Sequence, residues 1–304
     1  MTTYILNRLL QGIAVLIVSV SAIFLLGRLS GDPVALLLPE DAPIESEIEI
    51  RRLLGLDRPI SVQYTSYVSR ALVGDFGRSY FDNRAVKAII LEYLPNTLKL
   101  AGVAVVISIV MAIPLGIASA VYRDSWLDRI SQALALAGHS MPAFWSAILL
   151  IQIFGVWLGW LPTFGSGTFA HILLPAANLA LYNWAQISRL TRSAMVETLS
   201  EDYIRTARSK GLGGMSVVLK HAFRNALLPI VTIVSLELGG LLGGAVITET
   251  VFAWPGIGWL VINAISRRDF PVVQGIIGYV AVIFVILTLL TDVLYTYINP
   301  RVRY

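Results

Sequence analysis

The chain has 304 residues, 56% of them hydrophobic and 14% charged, with a mean hydropathy of +0.74. Soluble domains carry roughly 25% charged residues, so composition alone points to an integral membrane protein. The absence of cysteine excludes disulfides, thiolate metal sites, haem attachment and a thiol nucleophile, and the net charge of +4 gives no sign of nucleic acid because the basic residues border apolar runs.

Residues 1–30, "MTTYILNRLLQGIAVLIVSVSAIFLLGRLS", predict a retained transmembrane helix over about Leu9–Leu29. The apolar run is longer than the ~7–15 residues of a signal core, and no small-x-small site closely follows it. Residues 31–94 are too polar to cross and are expected to form an external cap. Within them "ESEIEIRRLLGLDRP" predicts a short amphipathic helix with Ile48, Leu53 and Leu54 on one face and Gly55 at its left-handed end. The stretch "VQYTSYVSRAL" repeats the pattern with Tyr64, Tyr67, Val68 and Leu72. No nucleophile and base are arranged there, so a packing role is expected rather than a catalytic one.

Five more spans fit the hydropathy, at about Thr97–Val121, Ile130–Leu158, Leu173–Ala194, Ala226–Ile247 and Val272–Ile298. The expected architecture is all-α, with six transmembrane helices and a core over residues 95–298. The fourth span carries Asn178, Asn183, Gln186, Arg189 and Arg192, so it should face protein or a watery cavity more than lipid. The turn Arg123–Arg129, the segment Arg189–Arg224 and the tail "NPRVRY" are basic, whereas "LPTFGSGTF" has no Lys or Arg. The positive-inside rule then makes the basic set and both termini cytoplasmic, with Arg267 and Arg268 running against the rule and Asp269 a partial offset.

The segment Glu201–Pro229, "EDYIRTARSKGLGGMSVVLKHAFRNALLP", interrupts this oily chain with Arg205, Arg208, Lys210, Lys220 and Arg224. Ser200 can cap a helix whose first turn holds Glu201 and Asp202 and whose last holds Arg208 and Lys210, an order that suits the helix dipole. "GLGG" breaks that helix, and Ser216–Phe223 starts a second one leading to Pro229 and the fifth span. Such an element could lie on anionic headgroups, each basic side chain gaining about 1 kcal/mol. It could equally dock a neighbouring protein and carry that protein's motion into the two spans it joins.

Within the spans, Glu237 would cost about 2.5–3.5 kcal/mol at a lipid-facing centre, so it should face the bundle, either as a packing carboxyl or as a lining of a solute path. Asn183, Gln186, Gly240 and Gly243 are the other path or gate candidates. The glycines of "GGLLGG", residues 239–244, suit either a seam with a second subunit or a flexible gate. Asp292 reads as an interfacial anchor. In "TETVFAWPGIGWLV", Glu249, Phe252, Trp254 and Trp259 are placed at the outer interface, with Trp254 and Trp259 as an aromatic belt. His139, His171 and His221 are too dispersed to form a metal site. "SKGLGG" has its glycines and lysine in the wrong order for a phosphate loop, so no ATP hydrolysis by this chain is expected. A serine protease fails because Ser140 and His139 are helix neighbours that do not face each other. An ion-coupled carrier is disfavoured because no inverted repeat is apparent.

"YIRTARSKGL" followed by "HAFRNALLP" resembles the cytoplasmic signature of bacterial ABC-importer permease subunits, in the branch serving dipeptide, oligopeptide and nickel uptake. "GLDRPISVQY", "GDFGRSY", "LPNTLKLA" and "ETVFAWPGIGWL" are similar to that branch too, in the expected order from Gly55 to Leu260. The general permease signature opens Glu-Ala-Ala and ends near Leu-Pro; here those positions read Arg205, Thr206 and Ala207 and, at the end, Phe223 and Arg224, while Gly211 is shared. The resemblance implies a type I ABC importer transmembrane fold with a coupling segment over residues 196–225. Arg205, Ala207, Lys210, Gly211, Leu212, Gly213, Val217 and His221 would then meet the ATP-binding subunit. It also implies an external mouth at Glu249, Phe252, Trp254, Pro255 and Gly256, a second homologous permease, two ATP-binding subunits holding ATP and Mg, an extracytoplasmic solute-binding protein and a place in the bacterial inner membrane. Peptide is the first expected cargo, with nickel, glutathione and modified-sugar or opine-type solutes as alternatives within the same branch.

Overall fold

A computed structural model describes residues 2–29, 34, 38, 43–53 and 55–298, which are helical apart from short connections and one antiparallel bridge between Arg78 and Ala85. In chain order the helices are α1 Thr2–Leu29, α2 Ile44–Leu53, α3 Ile60–Leu72, α4 Val86–Val121, α5 Trp126–Ser140 and α6 Ala143–Leu150, which continues as a π-helical stretch Ile151–Trp157. There follow α7 Ala170–Leu199, α8 Asp202–Ser209, the single turn α9 Gly214–Ser216 with a π-helical stretch Val217–Ala222, α10 Phe223–Val251, α11 Ile257–Ser266 and α12 Phe270–Ile298.

Each expected span coincides with helix, but not every helix is a simple span. Among the described residues Val86–Val121, Gly214–Glu237 and Phe270–Thr291 are long and apolar enough to cross a membrane alone. A fourth crossing requires counting α5 and Ala143–Trp157 as one span bent by 110°. The straight third span expected over Ile130–Leu158 is thereby corrected. Met141, ahead of Pro142, is forced out of helical geometry (ψ 130°), which ends α5 there. α1 counts only through its shorter apolar stretch Leu10–Leu25, and the polar residues of α7 keep that 30-residue helix out of the set.

The chain divides into two compact units. The first comprises residues 1–95 and 256–286. Val86, Ile89 and Ile90 from the start of α4 pack with Ile257 and Ala264 of α11 and Val272 and Ile276 of α12. α3 lies along α1: Tyr64 meets Phe24 edge-on at 5.4 Å, Tyr67 lies 5.5 Å from the same ring, and the hydroxyls of Ser21 and Tyr64 are 2.6 Å apart. Tyr64, Tyr67 and Val68 are half-buried as expected, but Leu72, at the very end of α3, is 82% exposed. Ile48, expected on the packing face of α2, is also exposed; Leu54 lies outside the described residues. Gly55 adopts φ +67° and ends α2 as anticipated, with the Leu56 amide donating to Arg51 O at 2.9 Å.

The second unit comprises residues 96–255 and 287–303. Its centre is α7, whose buried face runs from Ile172 to Thr198. Gly116 of α4 admits α7 closely, since a β-carbon there would sit 2.6 Å from Thr191 Cβ and 2.8 Å from Ser188 O. Part of the polarity of α7 is absorbed within the protein: Ser146 Oγ donates to Asn178 Oδ1 at 2.7 Å, and Asn178 Nδ2 donates to Thr248 Oγ1 at 2.9 Å. At Asn178 the hydrogen bonds of this helix are thus satisfied by α6 and α10, whereas Trp184 Nε1 and Thr191 Oγ1 are buried without a hydrogen-bond partner among the described residues.

Candidate coupling hairpin and solute path

Ser200 ends α7 rather than capping α8. Its hydroxyl donates to Glu197 O at 2.6 Å, so Glu201 takes the cap position of α8 with no side-chain bond to the helix. Asp202 and Arg208 nevertheless occupy the first and last turns, matching the dipole as expected. α8 closes with the Gly211 amide on Arg208 O at 2.9 Å and the Leu212 amide on Ala207 O at 3.4 Å. Gly211 has φ +76°, and nothing lies within 4 Å of where a β-carbon would stand, so glycine is required there by conformation and not by crowding. The second limb, α9 and its π-helical stretch, runs without a break into α10.

The hairpin is keyed into the spans by apolar side chains. Ile204 and Ala207 from α8 and Val217 from the second limb pack with Ala194 and Met195 of α7, Ala120 of α4, and Ala222, Ala226 and Ile230. Asn225 Nδ2 adds a hydrogen bond to Tyr203 Oη at 2.8 Å. Among the expected contact residues, Arg205, Lys210, Gly211, Leu212 and Gly213 are exposed and His221 is half-buried. Ala207 and Val217 are 6% and 0% exposed, which turns them inward as anchors and away from any docked surface. Met215 and Leu219, which the sequence pattern did not single out, are 72% and 48% exposed. With the turn residue Leu212, 41% exposed, they leave three apolar side chains of the hairpin open, along with the exposed Arg205, Lys210 and Lys220.

A second joint, also missed, ties α7 to the turn between α4 and α5. Asp128 is 3% exposed and accepts from Arg192 Nε at 2.7 Å and Nη2 at 2.6 Å, from the Asp124 amide at 3.0 Å, and from Ser119 Oγ. The fork of Arg192 matches the carboxylate bidentately, and the remaining lone pairs are filled, which is what a buried charge needs. The acidic Asp124 and Asp128 between Arg123 and Arg129 were the available signal.

On the spans themselves, Tyr182, Gln186, Arg189 and Ser193 recur at i, i+4, i+7 and i+11 of α7, one polar face left partly open. Gln186 Nε2 donates to Tyr182 Oη at 3.3 Å, and the Tyr182 ring stacks on His139 at 4.5 Å. Glu237 is half-buried within electrostatic range of His139. Gly240 and Gly243 have open space where a side chain would stand. Asn183 is separate from this face: it is 4% exposed, inside the helix packing. The side chain of Asp292 lies outside the described residues, as does the tail 299–304.

The turn expected at the outer interface is more enclosed than its sequence suggests. Glu249 and Phe252 are 0% and 2% exposed, and Thr97 Oγ1 donates to Glu249 Oε1 at 2.6 Å. Trp254 is not a belt residue: it is 6% exposed, packs with Leu100, Ile172 and Ala245, and donates through Nε1 to Asn96 O at 3.1 Å. Asn96 Nδ2 returns a bond to Pro255 O at 2.8 Å. Pro255 is half-buried and Gly256 caps α11. Trp259 is half-buried, stacked on Tyr93 at 6.0 Å.

Residues 112–304 match the family model described as binding-protein-dependent transport system inner membrane component, and residues 1–101 match the N-terminal model of the same transport system membrane component. The chain is 42% identical over 305 aligned residues, covering 100% of both chains, to the glutathione transport system permease protein GsiC of Escherichia coli (strain K12). It is equally 42% identical over full length to the GsiC protein of Salmonella choleraesuis (strain SC-B67). Among solved structures, the inward-facing MetNI methionine ABC transporter is similar in fold, with a TM-score of 0.57, 19% identity and coverage of 69% of this chain and 96% of that one. A second crystal form of that transporter gives a TM-score of 0.60 at 18% identity, with the same coverage.

Proposed function

The chain belongs to the family of binding-protein-dependent transport system inner membrane components and is a permease subunit of an ABC importer, and from that premise we propose that it forms half of a peptide-conducting path moved by separate ATP-hydrolysing subunits. In this reading α8, the Gly211 turn and the second limb are the coupling element. Leu212, Met215 and Leu219 insert into a groove of the ATP-binding subunit, and Arg205, Lys210 and Lys220 pair with acids at its rim. ATP and Mg reside on two such partners. A second homologous permease completes the path, and an extracytoplasmic binding protein delivers solute on the side of residues 249–256. The inner membrane is the site, and both termini face the cytoplasm. Small peptides, glutathione-like tripeptides included, are the cargo, since the GsiC relatives are glutathione permeases by name; nickel or modified-sugar solutes are the alternatives.

The observation that carries this reading is the hairpin's two-sided construction. Ile204, Ala207 and Val217 are buried against the ends of three long helices, while Leu212, Met215 and Leu219 and the basic Arg205, Lys210 and Lys220 are exposed. A device that only rested on headgroups would need no rigid attachment to those helices. A packed hairpin carries a displacement of a few ångströms into them, because close-packed contacts shift as units.

The chain lacks cysteine, so Met215→Cys creates a unique thiol for crosslinking. Capture of the ATP-binding subunit in inner-membrane vesicles is the expected result; capture of lipid alone would sink the coupling assignment. Gly211→Asp places a side chain at φ +76°. It should cut ATP-driven uptake by about tenfold or more while leaving membrane insertion intact, because strain at a left-handed position costs of order 1 kcal/mol or more and disturbs the docked turn. Unchanged uptake would remove Gly211 from the coupling surface.

A further inference from the structure

Arg189 on α7 and Glu237 on α10 carry opposite charges within one compact unit without pairing to each other. α7 and α10 run antiparallel, since Asn178 pairs with Thr248 at one end while Ala194 and Met195 pack with Ala226 and Ile230 at the other. A cavity of about 410 Å³ opens there, lined by Gln132, Gln186, Arg189, Arg192, Ser193 and Ile233. Arg192 is already committed to Asp128. Arg189 is exposed to the cavity and makes no ion pair or hydrogen bond among the described residues. Glu237 follows Ile233 by one turn of α10, about 6 Å along the axis, and likewise has no ion pair or hydrogen bond among the described residues. Beside it, His139 leaves its buried Nδ1 without a hydrogen-bond partner.

An unpaired, half-buried carboxyl such as Glu237 on a membrane-crossing helix is costly, and it persists where a ligand or path requires it. A ligand carrying both signs satisfies the two at once. Because an extended chain advances about 3.3–3.6 Å per residue, the ends of a two- or three-residue peptide reach from one helix turn to the next. We propose that Glu237 receives the ammonium end and Arg189 the carboxylate end of a short zwitterionic peptide, the carboxylate lying toward the coupling hairpin. The guanidinium fork suits a carboxylate bidentately. Gln186, Gln132 and His139, lying near the two charges, offer amide and imidazole partners to the peptide bonds between the ends. This assignment rests on the peptide-path reading above and specifies its chemistry: cargo is selected inside the membrane by its two free termini.

The test uses the detergent-purified complex of this permease with its partner permease and ATP-binding subunits, without the binding protein, so that no upstream selection masks the site. Equilibrium binding of labelled trialanine is compared with that of its C-amide and its N-acetyl derivative. Arg189→Gln should weaken trialanine binding about tenfold or more, the usual penalty for leaving a polar partner unmatched. The same variant should leave the already weak C-amide unchanged, while Glu237→Gln does the same for the N-acetyl derivative. Arg189→Lys, which keeps the charge, should retain the preference for a free carboxylate, and ATP hydrolysis in each variant reports intact assembly. Equal losses for trialanine and its C-amide in Arg189→Gln, or loss of permease pairing with selectivity unchanged, would overturn the inference and leave the peptide path standing. A wild-type complex that binds neither trialanine nor glutathione would overturn both.

Discussion

The hairpin at residues 200–222 and the cap at residues 43–85, ahead of α4, are both polar interruptions of an apolar chain, yet they are held by different forces. The hairpin is fastened by Ile204, Ala207 and Val217, all buried among alanines, Met195 and Ile230 of the long helices. The cap segment relies more on polar ties. Asp269, 5% exposed, accepts from Ser79 Oγ and from the Tyr80 amide at 3.1 Å. Arg70 pairs with Asp75 at 2.9 Å and Arg84 with Glu92 at 2.5 Å, both pairs about half exposed. Close apolar packing transmits displacement because it has no partner to exchange with water. Exposed ion pairs re-form with solvent at little cost and tolerate change. A part that must carry motion and a part that must only cover are therefore distinguishable by what fastens them.

The contrast breaks first at Ile204. Ile204→Ala removes a fully buried side chain and should destabilise the hairpin by about 2–5 kcal/mol, the range for such truncations in packed cores. Hydrogen exchange should rise across α8 and the second limb, with amides of α3 unaffected. A loss spread evenly over both regions would mean the hairpin is not a separately fastened part. Next in size is Asp269→Asn, which keeps the shape and weakens the bonds to Ser79 and Tyr80. A cost of about 1–3 kcal/mol is expected, confined to residues 77–85 and the α11–α12 turn. Urea titration of the purified chain, read by exchange at those amides, measures it.

Much of this was legible in the sequence because membrane burial and charge order act locally. The helical stretches, the left-handed glycine ending α2 and the break of α8 at the Gly211 turn follow from residue type and spacing alone. The misreadings share one cause: the sequence does not say which polar group meets which. Trp254 has the composition of a belt residue, but Asn96, more than 150 positions away in the chain, supplies its acceptor. Ser200 has the chemistry of a cap, but its hydroxyl turns back to Glu197. Asp128 and Arg192 are each visible as a charge but not as a pair, because the pairing depends on how α5 folds back along α7. The bend at Met141 is foreshadowed by Pro142, yet its size of 110° is set by packing. Ala207 and Val217 fall within the segment that the family signature marks for contact, whereas the direction each side chain points depends on the phase of α8 and the π-helical stretch.

The smallest effect sharpens the same contrast on the cap side. The Arg70 side chain, hydrogen-bonded to Asp75, and then the Gly77 amide hold the Asp75 carboxyl below its ordinary value, against the opposing pull of burial. A carboxylate whose folded value is depressed contributes stability that is fully present above the unfolded value of about 3.9 and is lost as pH falls through the folded one. Acidification below about pH 4 should therefore loosen the turn at residues 75–77 while the hairpin, whose anchors Ile204, Ala207 and Val217 do not titrate, keeps its protection. Because Asp75 and Arg70 are half exposed, solvent screening keeps the change modest. The measurement is the titration midpoint of the Asp75 side chain by NMR, expected below about 3.9 in the wild type and returning toward it in Arg70→Ala. A midpoint unmoved by that substitution would show that the pair does not hold the turn, and that the cap is fastened by packing after all.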